Sequence, residues 1–169
     1  MSDTPDLVGR GYALGPDDGE GLWHLGGLLT LKATGARTEG RFALMEERGG
    51  AGYASPLHVH EREDEALYVL EGTVLAYVGE EVFRATPGTY VYLPQRVPHA
   101  VVVEGDGARF LTLICPAGLE RFFRETGRPA AARSLPPADL PVDEEALDRF
   151  AAQHGATILG PPPSPERSA

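Results

Sequence analysis

A chain of 169 residues with 42% hydrophobic content can bury one sizeable core and leaves little room for two domains. Its formal charge of −10, with 15 Lys and Arg and no basic run, excludes a duplex-binding surface and disfavours anionic membranes. The single cysteine, Cys115, rules out an internal disulfide; a buried structural thiol in the apolar run FLTLICP and a reducing cytoplasm are the expectation.

The N-terminus lacks a basic start followed by an apolar stretch, and no segment approaches the ~20 apolar residues of a membrane span. The first seven residues and the end of the tail PPPSPERSA are expected to be poorly ordered. Strand-like runs follow at 22–32, 41–46, 57–60, 66–70, 74–77, 81–84, 90–93, 99–103 and 109–114. Turn residues punctuate nearly every gap, so an all-β barrel or jelly roll is the predicted architecture. After Pro116 the spacing becomes helical: Leu119, Phe122 and Phe123 within 118–126, then Leu147 and Phe150 within 143–154, with Asp143 as N-cap and Gly155 closing the C-terminus. Residues 128–142, with four prolines, read as an extended strap between the helices. The predicted organisation is an N-terminal segment over 1–20, the barrel over 21–116, a helical extension packed on it over 117–160 and a flexible tail over 161–169. No internal repeat is present, so the barrel is single.

The chemistry concentrates in HVHEREDE. Side chains alternate along a strand, so His58 and His60 face one way and can reach one ion at about 2.0–2.1 Å. Glu65 and the more distant His99 complete a set of three imidazoles and one carboxylate. With five histidines and 16 glutamates in the chain, HxHx4E arises by chance in roughly one shuffled sequence in seventy. Requiring Gly52 and Gly72 as well lowers this to on the order of one in five thousand.

The string GYASPLHVHEREDEALYVLEG resembles the first motif of the cupin superfamily, G(x)5HxH(x)4E(x)6G, at every defining position. Gly88, Pro94 and His99 in GTYVYLPQRVPHAVVV match the second, where Arg96 replaces the usual last glycine and Val103 the usual asparagine. Within that superfamily the chain is similar to bacterial single-domain proteins of the quercetin 2,3-dioxygenase-like group, through LWHLGGLLTLKATG, PAGLERFFRETG and HGATILGPPP as well. The resemblance implies a double-stranded β-helix with short C-terminal helices. It implies one divalent transition metal ion per chain, held by His58, His60, Glu65 and His99, and the ligand set permits Fe, Mn, Ni, Co, Cu or Zn. It further implies a dioxygenase acting on a flavonol or related enolic aromatic molecule, with Glu65 also the catalytic base. Alternatives are a metal-dependent isomerase or epimerase of a small carbonyl or sugar, and a non-catalytic small-molecule-binding protein.

Phe42, Tyr53, Leu57, Leu75, Tyr77, Phe110 and Phe122 are candidates to line a substrate pocket, and Arg96 to orient an anionic oxygen. His24 and His154 stand outside the ligand spacing and read as structural; Glu61, Glu63 and Asp64 read as a solvated turn. If Glu65, Leu67 and Val69 point inward, Tyr68 and Leu70 point outward and need cover. A homodimer through this face is the expectation, with a small-molecule substrate and neither nucleic acid nor membrane as partner.

Overall fold

The computed structural model describes residues 9–164; the order expected of residues 1–7 and of the end of the tail concerns residues outside that range, in part or whole. Among the described residues ten strands form one antiparallel sheet; in chain order they are β1 (Glu20–His24), β2 (Gly27–Ala33), β3 (Ala43–Gly50), β4 (Leu57–His60), β5 (Asp64–Val78), β6 (Glu81–Ala85), β7 (Tyr90–Leu93), β8 (His99–Cys115), β9 (Arg128–Pro129) and β10 (Ala156–Gly160). Helices are α1 (Gly35–Thr38), α2 (Glu120–Thr126) and α3 (Glu144–Gln153). Among the described residues no helix is long and apolar enough to cross a membrane.

Two long strands organise the barrel. β5 pairs with β8 from Asp64↔Cys115 to Val78↔His99, with register shifts at Val69/Glu71 and Gly72/Thr73. The first part of β5 also pairs with β7 and the last part with β6; β8 pairs with β4 at its start and with β3 towards its end. The runs predicted separately at 66–70 and 74–77, and at 99–103 and 109–114, are therefore halves of single bent strands. Gly72 explains the bend: it adopts φ 74°, and a Cβ there would strike the backbone of Gly107. The reverse holds at 22–32, which breaks into a hairpin because Leu25 and Gly26 take φ of 49° and 81°.

Alternation then sorts the side chains. Leu67, Val69, Val74, Ala76, Leu93, Val103 and Phe110 form one buried cluster, and Leu22, Leu29, Leu31, Met45, Ile114 and Leu119 a second, against which Phe122 and Phe123 pack. Each such Leu, Val or Phe contributes about 1.5–3 kcal/mol by leaving water. Because Ile114 points inward, Cys115 points out; the thiol is exposed, correcting the expectation of burial.

The C-terminal segment closes the barrel. Asp143 caps α3 by accepting from Ala146 N at 2.9 Å, and α3 buries Leu147 and Ala151, with Phe150 only half-buried. Gly155, at φ 75°, turns the chain into β10, which pairs with β4 so that Ala156 lies opposite His60 and Ile158 opposite His58. The strap is tied to β1 by the short β9 and by Trp23 Nε1 donating to Ser134 O at 2.8 Å.

Candidate metal centre and its cavity

The extended conformation of β4 sets His58 and His60 on one face, with ring centroids 4.8 Å apart. His99 opens β8 directly opposite His58, and Glu65 enters from the start of β5. One donor atom from each of the four residues lies within 4.8 Å of every other. Glu65 Oε1 is 3.6 Å from His60 Nε2 and Oε2 is 3.4 Å from His99 Nε2. Neither nitrogen gains a satisfactory hydrogen bond there, and both are buried.

Two of the rings are oriented by backbone. His58 Nδ1 lies 2.8 Å from Pro56 O and His99 Nδ1 3.0 Å from Val97 O. Carbonyls only accept, so each Nδ1 carries a proton, and in the neutral ring Nε2 then presents its lone pair. Buried lone pairs without protein partners, facing a carboxylate, are what a cation needs and what an empty polar core cannot afford. The residues fit a metal ion.

Electrostatics agree with that polarity. Burial, then the neighbouring imidazoles of His99 and His60, pushes the His58 pKa down to about 3. Burial also lowers His60. Burial alone raises Glu65, but the surrounding His60, His99 and His58 outweigh it and hold the carboxylate at about 2. His99 moves upward, since contact with Glu65 exceeds the effect of its burial. His58 and His60, neutral beside an ionised carboxylate, are in the forms a divalent ion binds, and His99 would give up its extra proton to such an ion.

His58, His60 and Glu65 of the cluster line a cavity that is partly open to solvent. Its other walls are largely apolar: Met45, Leu67, Leu119, Phe122, Phe123, Leu147 and Ile158. Of the residues proposed from sequence to touch substrate, Tyr53 and Phe122 line this cavity. The others lie elsewhere. Phe42 is exposed just before β3, and Phe110 is fully buried in the core. Leu75 faces the opposite side of β5, in a groove with Val102 and Pro162; Tyr77, two residues on, shares that side. Leu57 lies on the opposite face of β4 from Val59's neighbours His58 and His60 by strand alternation. Arg96 is exposed and holds the loop by donating its backbone N–H to His60 O at 2.7 Å.

Cavity residues that escaped the sequence reading include His24, Glu47 and Thr112. His24, expected to be structural, lines the cavity beside Phe122 and Phe123 with its Nε2 buried and unpaired. Glu47 and Thr112 line it from β3 and β8, hydrogen-bonded to each other. Only strand alternation with Met45 could have marked Glu47, and nothing local marked the other two. In the acidic turn, Glu61 is exposed as expected, and Asp64 accepts from Tyr92 Oη and Gln95 N, both at 2.9 Å. Glu63 departs from expectation: it is buried, 3.5 Å from the Arg62 guanidinium.

Comparison with known proteins agrees with this architecture. The Cupin domain family matches residues 45–115. The quercetin 2,3-dioxygenase of Bacillus subtilis (strain 168) is 26% identical over 144 residues, a match covering 81% of this chain and 43% of that protein. The chain thus spans less than half the length of that relative. Among solved structures, an RmlC-like cupin from Shewanella frigidimarina superposes with a TM-score of 0.57 at 17% identity, covering 68% of this chain and 98% of that one. KdgF from Halomonas sp. superposes with a TM-score of 0.52 at 20% identity, covering 58% and 86%. At these identities the structural likeness is one of fold.

Proposed function

The chain belongs to the cupin superfamily, and from that premise we propose that it is a metal-dependent dioxygenase acting on a flavonol or a related enolic aromatic molecule. One observation carries the reading: His58, His60 and Glu65, members of a cluster of three imidazoles and one carboxylate, open on a cavity walled by Met45, Leu119, Phe122, Phe123 and Leu147. Apolar and aromatic walls suit a flat, weakly polar ring system and offer little to the many hydroxyls of a sugar. The distant Bacillus subtilis relative supports the same choice.

His58, His60, His99 and Glu65 would hold the ion. When bound, a first-row divalent ion supplies Lewis acidity and, for the redox-active members, a route to dioxygen. The protein's own part is positional. The rings of Phe122 and Phe123 hold the substrate plane and keep water from it. Glu65, ionised among imidazoles, accepts the proton of the substrate's enolic hydroxyl. The Pro56 and Val97 carbonyls keep the His58 and His99 rings in the tautomer that leaves Nε2 free.

Oxygen uptake tests this directly. Protein loaded separately with Fe, Mn, Ni, Co, Cu and Zn is mixed with a flavonol panel; uptake matching flavonol loss with at least one redox-active metal is the expected result. Metal-loaded protein that consumes no oxygen with any flavonol, or that isomerises a small carbonyl or sugar without oxygen, overturns it.

A further inference from the structure

The cavity holds a second carboxylate that the cluster does not use. Glu47 is 8% exposed and lines the cavity from β3, facing the same interior as Met45. Tyr53 Oη donates to its Oε2 at 2.7 Å and Thr112 Oγ1 to its Oε1 at 2.5 Å. The arginines nearest in sequence and register do not reach it. Arg48 and Arg109 pair instead with Glu46, whose side chain leaves β3 on the opposite face. The other titratable groups around it are Tyr53 from the loop after β3, Glu65 from β5, His58 and His60 from β4, and His24 from β1.

We propose that Glu47 is an acid of this cavity, a protonated carboxyl seated by Tyr53 and Thr112 to give its proton to an anionic oxygen of the bound small molecule. The inference rests on the reading of the cavity as the place where that molecule reacts. The two carboxyls occupy opposite environments. Glu65 faces three imidazoles, which favour its ionised form. Glu47 accepts from two hydroxyls and is paired with no arginine among the described residues, and an ionised carboxylate without a cation paired to it is expensive to bury. Keeping the proton removes that cost. Burial accordingly pushes its pKa up to about 7, against the opposing hydrogen bonds from Thr112 and Tyr53 and with a smaller upward push from the Glu65 charge. Two carboxyls whose surroundings drive them apart divide the roles of base and acid between them.

The seat is built for this contact. Gly27 and Gly49 lie against the Tyr53 ring, and a Cβ on either would stand about 2.4–2.5 Å from ring atoms. Without those two glycines the ring could not lie where its hydroxyl meets Glu47. In the step itself the Glu47 O–H bond breaks and an O–H bond forms on the ligand oxygen. The carboxylate left behind accepts from both hydroxyls, which stabilises it until solvent returns a proton.

The test uses full-length protein loaded with zinc and labelled with carbon-13 at glutamate carboxyls, titrated from pH 5 to 9. One carboxyl is expected to titrate near neutrality, to vanish in Glu47→Gln, and to titrate higher in Tyr53→Phe, which loses a bond to the charged form. All carboxyls titrating in the ordinary acidic range overturns the proposal, whatever the protein does with flavonols. With quercetin and the active metal, Glu47→Gln should lower kcat at least tenfold and abolish a pH limb near 7, leaving metal content unchanged; Glu47→Asp should restore part of the rate. An unaltered pH profile in Glu47→Gln reduces Glu47 to a structural residue and overturns the proposal. Should the wild type turn over no flavonol, the flavonol reading falls, and the carbon-13 titration alone upholds or overturns a protonated Glu47.

Discussion

His58 and His99 are direct cross-strand partners on β4 and β8, their ring centroids 4.4 Å apart. One ladder position thus joins two motifs that lie some forty residues apart in the chain. Replacing either residue, or His60, with alanine removes a donor from a preformed shell. Outer-shell changes already cost metal sites about 10–100-fold in affinity, so each loss should cost more than that, measured by competition with a chelator. His24→Ala, on the cavity wall, should leave metal affinity within a few-fold of wild type.

Glu65→Gln separates binding from proton transfer. The three imidazoles remain, so much of the metal should be retained. An amide cannot take a substrate proton as a carboxylate does, so turnover should fall by about 10²–10⁴-fold. Equal loss of metal and activity makes Glu65 a ligand only; undiminished activity removes it from the chemistry.

His24 should make the fold acid-sensitive. Burial lowers its pKa from 6.5 to about 4, so the unfolded chain binds the proton first as pH falls. The stability it confers is complete above pH 6.5 and is lost progressively down to about pH 4, on the order of 3 kcal/mol across that window. Urea unfolding of wild type and His24→Phe at pH 7 and 4.5 checks this: the variant should lose less stability on acidification. Equal losses would show that His24 is solvated in the folded protein.

A covered outer face is expected in solution. Tyr68, Tyr90 and Tyr92 are 44%, 61% and 49% exposed, and Tyr68 and Tyr90 are direct partners on β5 and β7. Leu113, opposite Ala66 on β8, continues the patch. The helices pack on β1 and β10 rather than here. We expect a homodimer through this face, seen as twice the chain mass by light scattering at micromolar concentration and reduced to monomer by Tyr68→Glu with Tyr90→Glu. A wild-type monomer contradicts it.

Arg96 pays for its place in the second motif. It adopts φ 63°, the left-handed region that costs a side chain about 1–2 kcal/mol. Arg96→Gly relieves that strain and loses part of the gain to a freer unfolded chain. A rise in stability of up to about 1 kcal/mol by denaturant titration is the expected result, with metal affinity unchanged. Destabilisation would mean that the guanidinium has a structural partner.

The candidate ligands were legible because the spacing of His58, His60 and Glu65 is local and the second motif marks His99. A two-residue alternation puts His58 and His60 on one face whatever the rest of the chain does, and the motif glycines mark the turns that return Glu65 and His99 to them. The helix boundaries at Asp143 and Gly155 were legible for the same reason, since capping acts within one turn. Glu47, Tyr53, Thr112 and His24 carry no such signal. Their meeting depends on which strands become neighbours and on two glycines, Gly27 and Gly49, that make way for one ring. The return of residues 156–160 as β10 beside β4, closing the cavity with Ile158, is likewise invisible in a short window. Motif spacing along the chain therefore determined the candidate ligand set; the shape and polarity of the cavity were decided only by long-range strand pairing, because burial and cross-strand contact are properties of the complete fold.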